Sequence, residues 1–293
     1  MSELHSSTVP AGKQAEEHPE QVRQSLACGF RDVDKSGDTG SCQRCLDLIA
    51  GIPFFHEIKE ETVRIIAATD PALVLDAGCG AGIDLVSLAP SLSAHSRIIG
   101  LDASQSLLAL AAERTSSIKE RCSLVRGDIT QIPCKDSVFD ACRIDRVLQH
   151  LREPQIGIRE LVRVIRPGGT LVAFDNDWNT FSINLDDQDT AVRICRFWRD
   201  SFASGRIGSE LPGIFEKCGL VEIHAELRTL TLTDLSVAGQ VFDLFVLLDR
   251  TEQTGVLTLE KIAAVRAELH RRAQEGMFSS GYNGFLVWGT KPG

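Results

Sequence analysis

The sequence has 293 residues, enough for one large α/β domain, and its apolar content of 43% is sufficient for a full core. Its net charge is −9, with 40 acidic against 31 basic residues and no cluster of Lys or Arg, which argues against a nucleic-acid partner. No apolar run is long enough to cross a membrane and the polar start lacks a leader pattern, so we expect a cytoplasmic protein with reduced cysteines.

The first 70 residues are expected to form two parts. Residues 1–25 are polar and contain Pro10 and Pro19, which predicts a disordered or loosely docked tail. Residues 26–70 are predicted to form a helical cover, with a turn-rich connection at 30–38 and helices at 42–52 and 53–68. Cys42 and Cys45 have the spacing of metal ligands, but no second Cys/His pair completes a site, so no metal is predicted.

Residues 71–293 alternate strand-like and helical segments, which predicts a parallel doubly wound sheet. Strands are predicted at 72–77, 97–102, 123–128, 138–144, 170–175, 220–233 and 284–289. One helix is predicted directly after the first strand, with Ile83, Leu85, Val86 and Leu88 in its pattern. Further helices are predicted at 104–117, 153–165, 186–204, 209–218, 234–250 and 258–275.

A glycine turn after the first predicted strand organises this pattern. It reads Asp76-x-Gly78-x-Gly80-x-Gly82 and leads into a helix with Asp84 in its first turn. Glycines let a backbone approach a ligand closely, and a helix N-terminus offers unpaired N–H groups. The spacing differs from the G-x-G-x-x-G of dinucleotide-binding proteins. It resembles motif I of the class I S-adenosylmethionine (SAM) methyltransferases.

Two further segments carry the same resemblance. The run Phe139–Leu151 is similar to the family's motif after strand four, and Arg166-Pro-Gly-Gly169 precedes strand five as it does in the family. Together the matches cover about residues 72–176 and are similar to the UbiE-like small-molecule methyltransferases. The sequence departs from them at Arg146, where the family commonly has a smaller or apolar residue.

The resemblance implies a Rossmann-like α/β sheet of seven strands in the order 3-2-1-4-5-7-6, with the last two strands as a hairpin pair. It implies that helices at about 178–218 and 234–275 shape the acceptor pocket, and that SAM is the cofactor. The residues that it assigns to the cofactor are Asp76, Gly78, Gly80, Gly82, Asp84, Asp102, Ala103, Asp128, Ile129, Arg143 and Ile144.

Some of these residues have specific expected contacts. Asp102 closes strand two, where a carboxylate can accept both ribose hydroxyls; the alternative is a loop acid beside the helix cap Ser104. Asp128 can accept from the adenine amino group, and Ile129 can pack on the ring. Asp84 has two interpretations, a carboxylate that complements the helix dipole and a contact of the ligand's ammonium group.

Methyl transfer from a sulfonium requires mainly proximity, alignment and a dry site. His150 is the candidate general base, with a structural histidine as the alternative. Asp175 and Asp177 are expected to orient a polar acceptor, unless they serve a turn. Trp178 and Tyr282 are expected in an apolar acceptor pocket. The Phe54-Phe55-His56 segment is a candidate for closing the cofactor site, or for packing on the core.

The acceptor is expected to be a small apolar molecule. Segments 30–37, 146–151 and 175–178 resemble methyltransferases of microbial and fungal secondary metabolism, including fungal enzymes that S-methylate epidithiodiketopiperazine dithiols. A thiol acceptor is therefore slightly favoured, with O- or N-methylation as the alternative. An NAD-dependent reductase of the short-chain type requires Tyr-x-x-x-Lys, but Leu286 stands four residues after Tyr282, the only tyrosine. A non-catalytic binding protein is the other rival.

Overall fold

The computed structural model describes residues 33–36 and 39–293, so the predicted tail over 1–25 lies outside the described residues. A seven-stranded sheet has the order β3-β2-β1-β4-β5-β7-β6, which confirms the predicted fold. The first five strands run parallel, and β7 is antiparallel to both of its neighbours. The strands are β1 (Leu73–Ala77), β2 (Arg97–Asp102), β3 (Cys122–Arg126), β4 (Phe139–Asp145), β5 (Ile165–Ile183), β6 (Val221–Leu232) and β7 (Ser280–Thr290).

Some helices pack against the two faces of the sheet, and others form a separate cluster at one end of it. They are α1 (Val33–Ser36), α2 (Thr39–Ala50), α3 (Pro53–Ala67), α4 (Ile83–Ser91), α5 (Gln105–Arg114), α6 (Pro154–Val164), α7 (Gln188–Asp200), α8 (Ile207–Lys217), α9 (Leu235–Val241), α10 (Leu244–Gln253) and α11 (Leu259–Gln274). Among the described residues, no helix has the length and apolar character needed to span a membrane.

Alternate residues of the central strands enter two different cores, because successive side chains of a strand point to opposite faces. Val74 and Ala141 pack with α3, α4 and α5 on one face. Their neighbours Leu75 and Cys142 pack with α6 and α8 on the other. Burial on both faces explains why these strands read as continuous apolar runs rather than as alternating patterns.

A third core lies at one end of the sheet. Here β5 continues beyond the predicted 170–175, and its far half pairs with the start of β7 after a register shift between Asp177 and Ser182. Helices α7, α9, α10 and α11 cover this extension with a cluster rich in aromatic side chains. In the sequence, the polar residues after position 175 suggested a turn. In the structure, pairing with β7 keeps this part of β5 extended.

Two local predictions are wrong. Residues 33–36 form α1 rather than part of a turn-rich connection. The single helix predicted at 234–250 is two helices, because Asp243 has a φ of 48° and its left-handed backbone ends one helix before the next begins.

Candidate active site

The three glycines of the turn after β1 all have left-handed backbones, with φ of 75° at Gly78, 52° at Gly80 and 76° at Gly82. Only glycine adopts this conformation without steric cost. The turn is tied to β2, because the amides of Gly78 and Cys79 donate to the carbonyl oxygen of Leu101 at 2.7 and 3.0 Å. A Cβ on Gly78 would also stand 2.2 Å from Cγ2 of Val147, so the turn packs directly on the segment after β4.

A cavity of about 550 Å³ opens at this carboxyl edge of the sheet, where ligands of open α/β sheets bind. It brings together the sequence-predicted residues Gly78, Gly80, Asp102, Ala103, Asp128, Ile129, His150, Trp178 and Tyr282. The predicted residues that do not line it are Asp76, Gly82, Asp84, Arg143, Ile144, Asp175 and Asp177. The predicted set therefore divides into residues on the cavity wall and residues behind it.

Asp102 combines the two interpretations that the sequence left open. Its carboxylate accepts from the amides of Gly80 and Ser104, each at 2.8 Å, and it also lines the cavity. Burial raises the pKa of this carboxyl, although the amide hydrogen bonds oppose the rise. The carboxylate therefore holds the turn and the start of the next helix while it faces the cavity.

Asp34 is a cavity residue that the sequence analysis missed. It accepts from the Ser104 hydroxyl at 2.6 Å and from the amides of Gln105 and Ser106 at 2.9 and 3.2 Å. These bonds hold its pKa well below the usual range, with the two serine hydroxyls as the main cause. The carboxylate thereby attaches α1 to the N-terminus of α5. Its sequence context of polar and small residues suggested only a turn.

Arg143 is the centre of a buried charge network. Its side chain is 2% exposed and bonds to Asp76 at 3.0 Å, Asp84 at 2.8 Å and Asp145 at 2.9 Å. Its Nε also donates to the Thr62 hydroxyl at 3.0 Å. The network joins β1, α3, α4 and β4 directly behind the glycine turn.

The network bears on the expected roles of Asp84 and Asp76. Lys59 and Arg143 hold the pKa of Asp84 well below its usual range even though burial alone would raise it, and they occupy both of its oxygens. This placement favours a structural role for Asp84 over contact with a ligand's ammonium group. Burial raises the pKa of Asp76 to about 6, against the opposing effect of Arg143. Asp76 is buried in the strand that leads into the turn, pairs with Arg143 and does not line the cavity.

Arg146 brings the network to the cavity wall. Its Nε donates to Asp145 at 2.8 Å, and its guanidinium lies 4.7 Å from the ring centre of Phe55. Its backbone has a φ of 55°, held by the amide's bond to the carbonyl oxygen of Phe174 at 2.8 Å. Phe55 also lines the cavity, whereas His56 is exposed and pairs with Glu60, so His56 does not close the site.

Gln149 organises the opposite wall and was also missed. Its Oε1 accepts from Trp178 Nε1 at 2.7 Å and from Asn176 Nδ2 at 3.2 Å. Its Nε2 lies 3.3 Å from His150 Nε2, and both residues line the cavity. The side chain of Gln149 thus links the His150 turn to the extension of β5. In the sequence, the signal that could have identified Gln149 was its position next to His150, the candidate base.

Asp175 and Asp177 are placed differently from the expectation that they orient an acceptor. Asp175 is 0% exposed and accepts from the amides of Gln149 and Asn176 at 3.2 and 2.9 Å. Burial raises its pKa to about 7. Asp177 accepts from the Asn179 amide at 3.0 Å. Both carboxylates therefore accept from backbone amides within or next to β5, and neither lines the cavity.

Aromatic side chains form the remaining wall of the cavity. Trp178 stacks on Phe202 with ring centres 4.9 Å apart and contacts Tyr282 at 4.5 Å. The His150 ring lies 5.8 Å from that of Phe202. An apolar wall of this kind excludes water from a bound ligand.

The sequence of this chain is similar to a known protein family and to two relatives. The family described as "Methyltransferase domain" matches residues 75–173. An uncharacterised 37.1 kDa protein in transposon TN4556 of Streptomyces fradiae is 32% identical over 72% of this chain and 61% of its own length. A demethylmenaquinone methyltransferase of Lactiplantibacillus plantarum is 34% identical over 40% of this chain and 50% of its own length. The chain thus spans between half and two thirds of these two relatives.

Two solved structures show the same fold. The YcgJ protein of Bacillus subtilis has a TM-score of 0.56 at 19% identity, covering 81% of this chain and 99% of that one. The Haemonchus contortus phosphoethanolamine N-methyltransferase 2, in complex with phosphomonomethylethanolamine and S-adenosylhomocysteine, has a TM-score of 0.57 at 17% identity, covering 92% and 61%. Together with the matched domain, they confirm the class I methyltransferase resemblance. These matches lend no support to the finer resemblance to fungal dithiol enzymes.

Proposed function

We propose that this chain, a class I SAM-dependent methyltransferase by its fold and its matched domain, methylates an apolar small molecule of secondary metabolism. One observation carries the proposal. A single cavity joins the glycine turn and Asp102 to a wall of aromatic side chains, at the edge of the sheet where such ligands bind. A thiol is the favoured acceptor, as the sequence resemblance suggests.

The residues on the cavity wall suit the cofactor. Asp102 offers a carboxylate to ribose hydroxyls, and Leu101 and Ile129 offer apolar contacts to an adenine ring beside Asp128. The backbone of Gly80 reaches the wall without a side chain, and among the described residues a Cβ there would meet only Leu46 within 4 Å. When bound, the cofactor supplies a methyl group on a sulfonium, which is an activated donor.

The protein's own contribution is alignment and exclusion of water. Trp178, Phe202 and Tyr282 provide the apolar surface, and the Gln149 hydrogen bonds fix the turn that carries His150. For a hydroxyl acceptor, an imidazole nitrogen of His150 is the candidate to take its proton. A thiol ionises near neutral pH and depends less on that base.

Two other acceptor classes remain as alternatives. O- or N-methylation of a natural product uses the same cavity. A quinone ring is the alternative that the relatives named demethylmenaquinone methyltransferases suggest, one of which is 34% identical over 119 residues. A non-catalytic scaffold has no need of the glycine turn together with Asp102. An NAD-dependent reductase is disfavoured because the turn lacks the G-x-G-x-x-G spacing.

The test is transfer of labelled methyl groups from SAM to a panel of thiols, phenols, amines and demethylated quinones, with the product's mass and bond connectivity determined. We expect S-methylated products, and calorimetric binding of S-adenosylhomocysteine but not of NADH. Binding of NADH without S-adenosylhomocysteine would overturn the cofactor assignment. Binding of S-adenosylhomocysteine with no transfer to any panel member would favour the non-catalytic alternative.

A further inference from the structure

Arg146 has hydrogen-bonding capacity that the fold does not use. Its side chain is 13% exposed and lines the cavity. A guanidinium has five N–H donors, and here Nε is the donor that reaches Asp145. Among the described residues, no group accepts a hydrogen bond from its two Nη atoms. These terminal nitrogens are therefore available to a ligand in the cavity.

The guanidinium is held in place rather than mobile. Asp145 anchors its Nε, and Arg143 binds the other oxygen of Asp145 at 2.9 Å. The ring of Phe55 supports the guanidinium at 4.7 Å. A planar cation fixed at Nε with both Nη atoms available has the geometry for two parallel bonds to a carboxylate.

The Tyr282 hydroxyl provides a second polar group on the same wall. Its ring packs against Trp178, and no described residue hydrogen-bonds to the hydroxyl. Burial raises the pKa of Tyr282, and the neighbouring guanidinium of Arg146 opposes that rise. The hydroxyl thus remains a neutral donor near a fixed cation.

Arg146 and Tyr282 lie on the side of the sheet expected for the acceptor, not on the side expected for the adenosine of the cofactor. Asp102 and Asp128 follow β2 and β3, on one side of β1. Arg146 follows β4, and Tyr282 belongs to β7, on the other side of β1. The aromatic wall lies on that second side, because Trp178 belongs to β5.

We infer that the acceptor carries a carboxylate, bound by the two Nη atoms of Arg146 and the Tyr282 hydroxyl, with its apolar body against Trp178. This inference rests on the proposed methyltransferase function and narrows the acceptor class to apolar acids. A neutral amide or ester of the same shape brings no negative charge to the two Nη atoms and is therefore bound more weakly.

Binding of acid and amide pairs to the protein saturated with S-adenosylhomocysteine tests this directly. The probes are benzoate, 2-naphthoate and decanoate, each measured against its own carboxamide by calorimetry. We expect at least one acid to bind roughly 10- to 100-fold more tightly than its amide, the range for charge-assisted bonds. If no acid in the panel binds more tightly than its amide, the inference is overturned.

Three variants test whether Arg146 and Tyr282 cause the preference for the acid over its amide. Arg146→Gln should abolish the acid preference, and Tyr282→Phe, which keeps the ring packing, should reduce it. Arg266→Gln is the matched control, since Arg266 also lies over a phenylalanine ring and pairs with an aspartate but does not line the cavity. Persistence of the full preference in both cavity variants would contradict the assignment.

A cofactor role for Arg146 gives a different result. If Arg146→Gln weakens S-adenosylhomocysteine binding at least tenfold but leaves 5′-methylthioadenosine unaffected, Arg146 binds the cofactor's carboxylate and the inference is wrong. Failure of wild-type protein to bind S-adenosylhomocysteine would refute the proposed function itself, and is measured before any probe is added.

Discussion

Replacing Arg143 with methionine should destabilise the protein severely, because the arginine compensates several buried carboxylates at once. In Arg143→Met, Asp84 keeps Lys59 and Asp145 keeps Arg146, but Asp76 loses its ion-pair partner. Breaking a buried pair by removing one partner typically costs about 3–5 kcal/mol. Against a total stability of about 5–15 kcal/mol, this is a large fraction.

The loss should also depend on pH. The folded-state pKa of Asp76 is raised to about 6, above the ordinary value of 3.8 that the unfolded chain would show. Its ionisation therefore destabilises the fold as the pH rises from about 4 towards 6. Without Arg143 the folded-state pKa of Asp76 rises further and this window extends upward. The variant should consequently lose more stability at pH 8 than at pH 5.

Urea denaturation followed by circular dichroism at both pH values measures the effect. Arg64→Met is the control, because Arg64 is an exposed arginine paired with Glu61 on the same helix and should have no measurable effect. The double variant Asp76→Asn with Arg143→Met should recover part of the loss, since the uncompensated charge is gone. Wild-type stability of Arg143→Met at pH 8, or an equal loss at both pH values, would refute the reasoning.

Four further changes test the site. Asp102→Ala should weaken S-adenosylhomocysteine binding, measured by calorimetry, by about 1.5–3 kcal/mol per lost charge-assisted bond. It should also lower the melting temperature in thermal melts, because the Asp102 carboxylate accepts from two backbone amides. His150→Gln should slow turnover only modestly for a thiol acceptor, with a residual rate that rises through the thiol's own pKa; a loss of about 10³-fold or more with intact binding would indicate a hydroxyl. Asp175→Asn should flatten the decline in folding stability between about pH 4 and 7, because a carboxyl whose folded pKa is raised to about 7 destabilises the fold as it ionises; an unchanged pH profile would refute this. Gly78→Ala should destabilise far more than Gly168→Ala in thermal melts, because both glycines have positive φ but a Cβ collides with a neighbour only at Gly78.

The sequence alone was sufficient for the sheet and for the place of the site. Alternating apolar strands and helices, a glycine turn and an acid closing strand two have local spacing, so the α/β class and the cavity residues Gly78, Gly80 and Asp102 could be predicted before any contact was known. The order 3-2-1-4-5-7-6 came from the resemblance to the methyltransferase family, and the sheet has that order. These signals are local because the turn's backbone conformation depends on the glycines themselves.

Tertiary structure decided which charged residues face the cavity and which lie behind it. Asp84, Arg143 and Asp175 looked like ligand contacts from their positions in motifs, yet each is occupied by partners far away in the chain. Asp34 became a cavity residue for the same reason, through hydrogen bonds to the start of α5. A buried charge must find a partner, and which partner it finds depends on how distant strands and helices pack, a property that local sequence patterns do not contain.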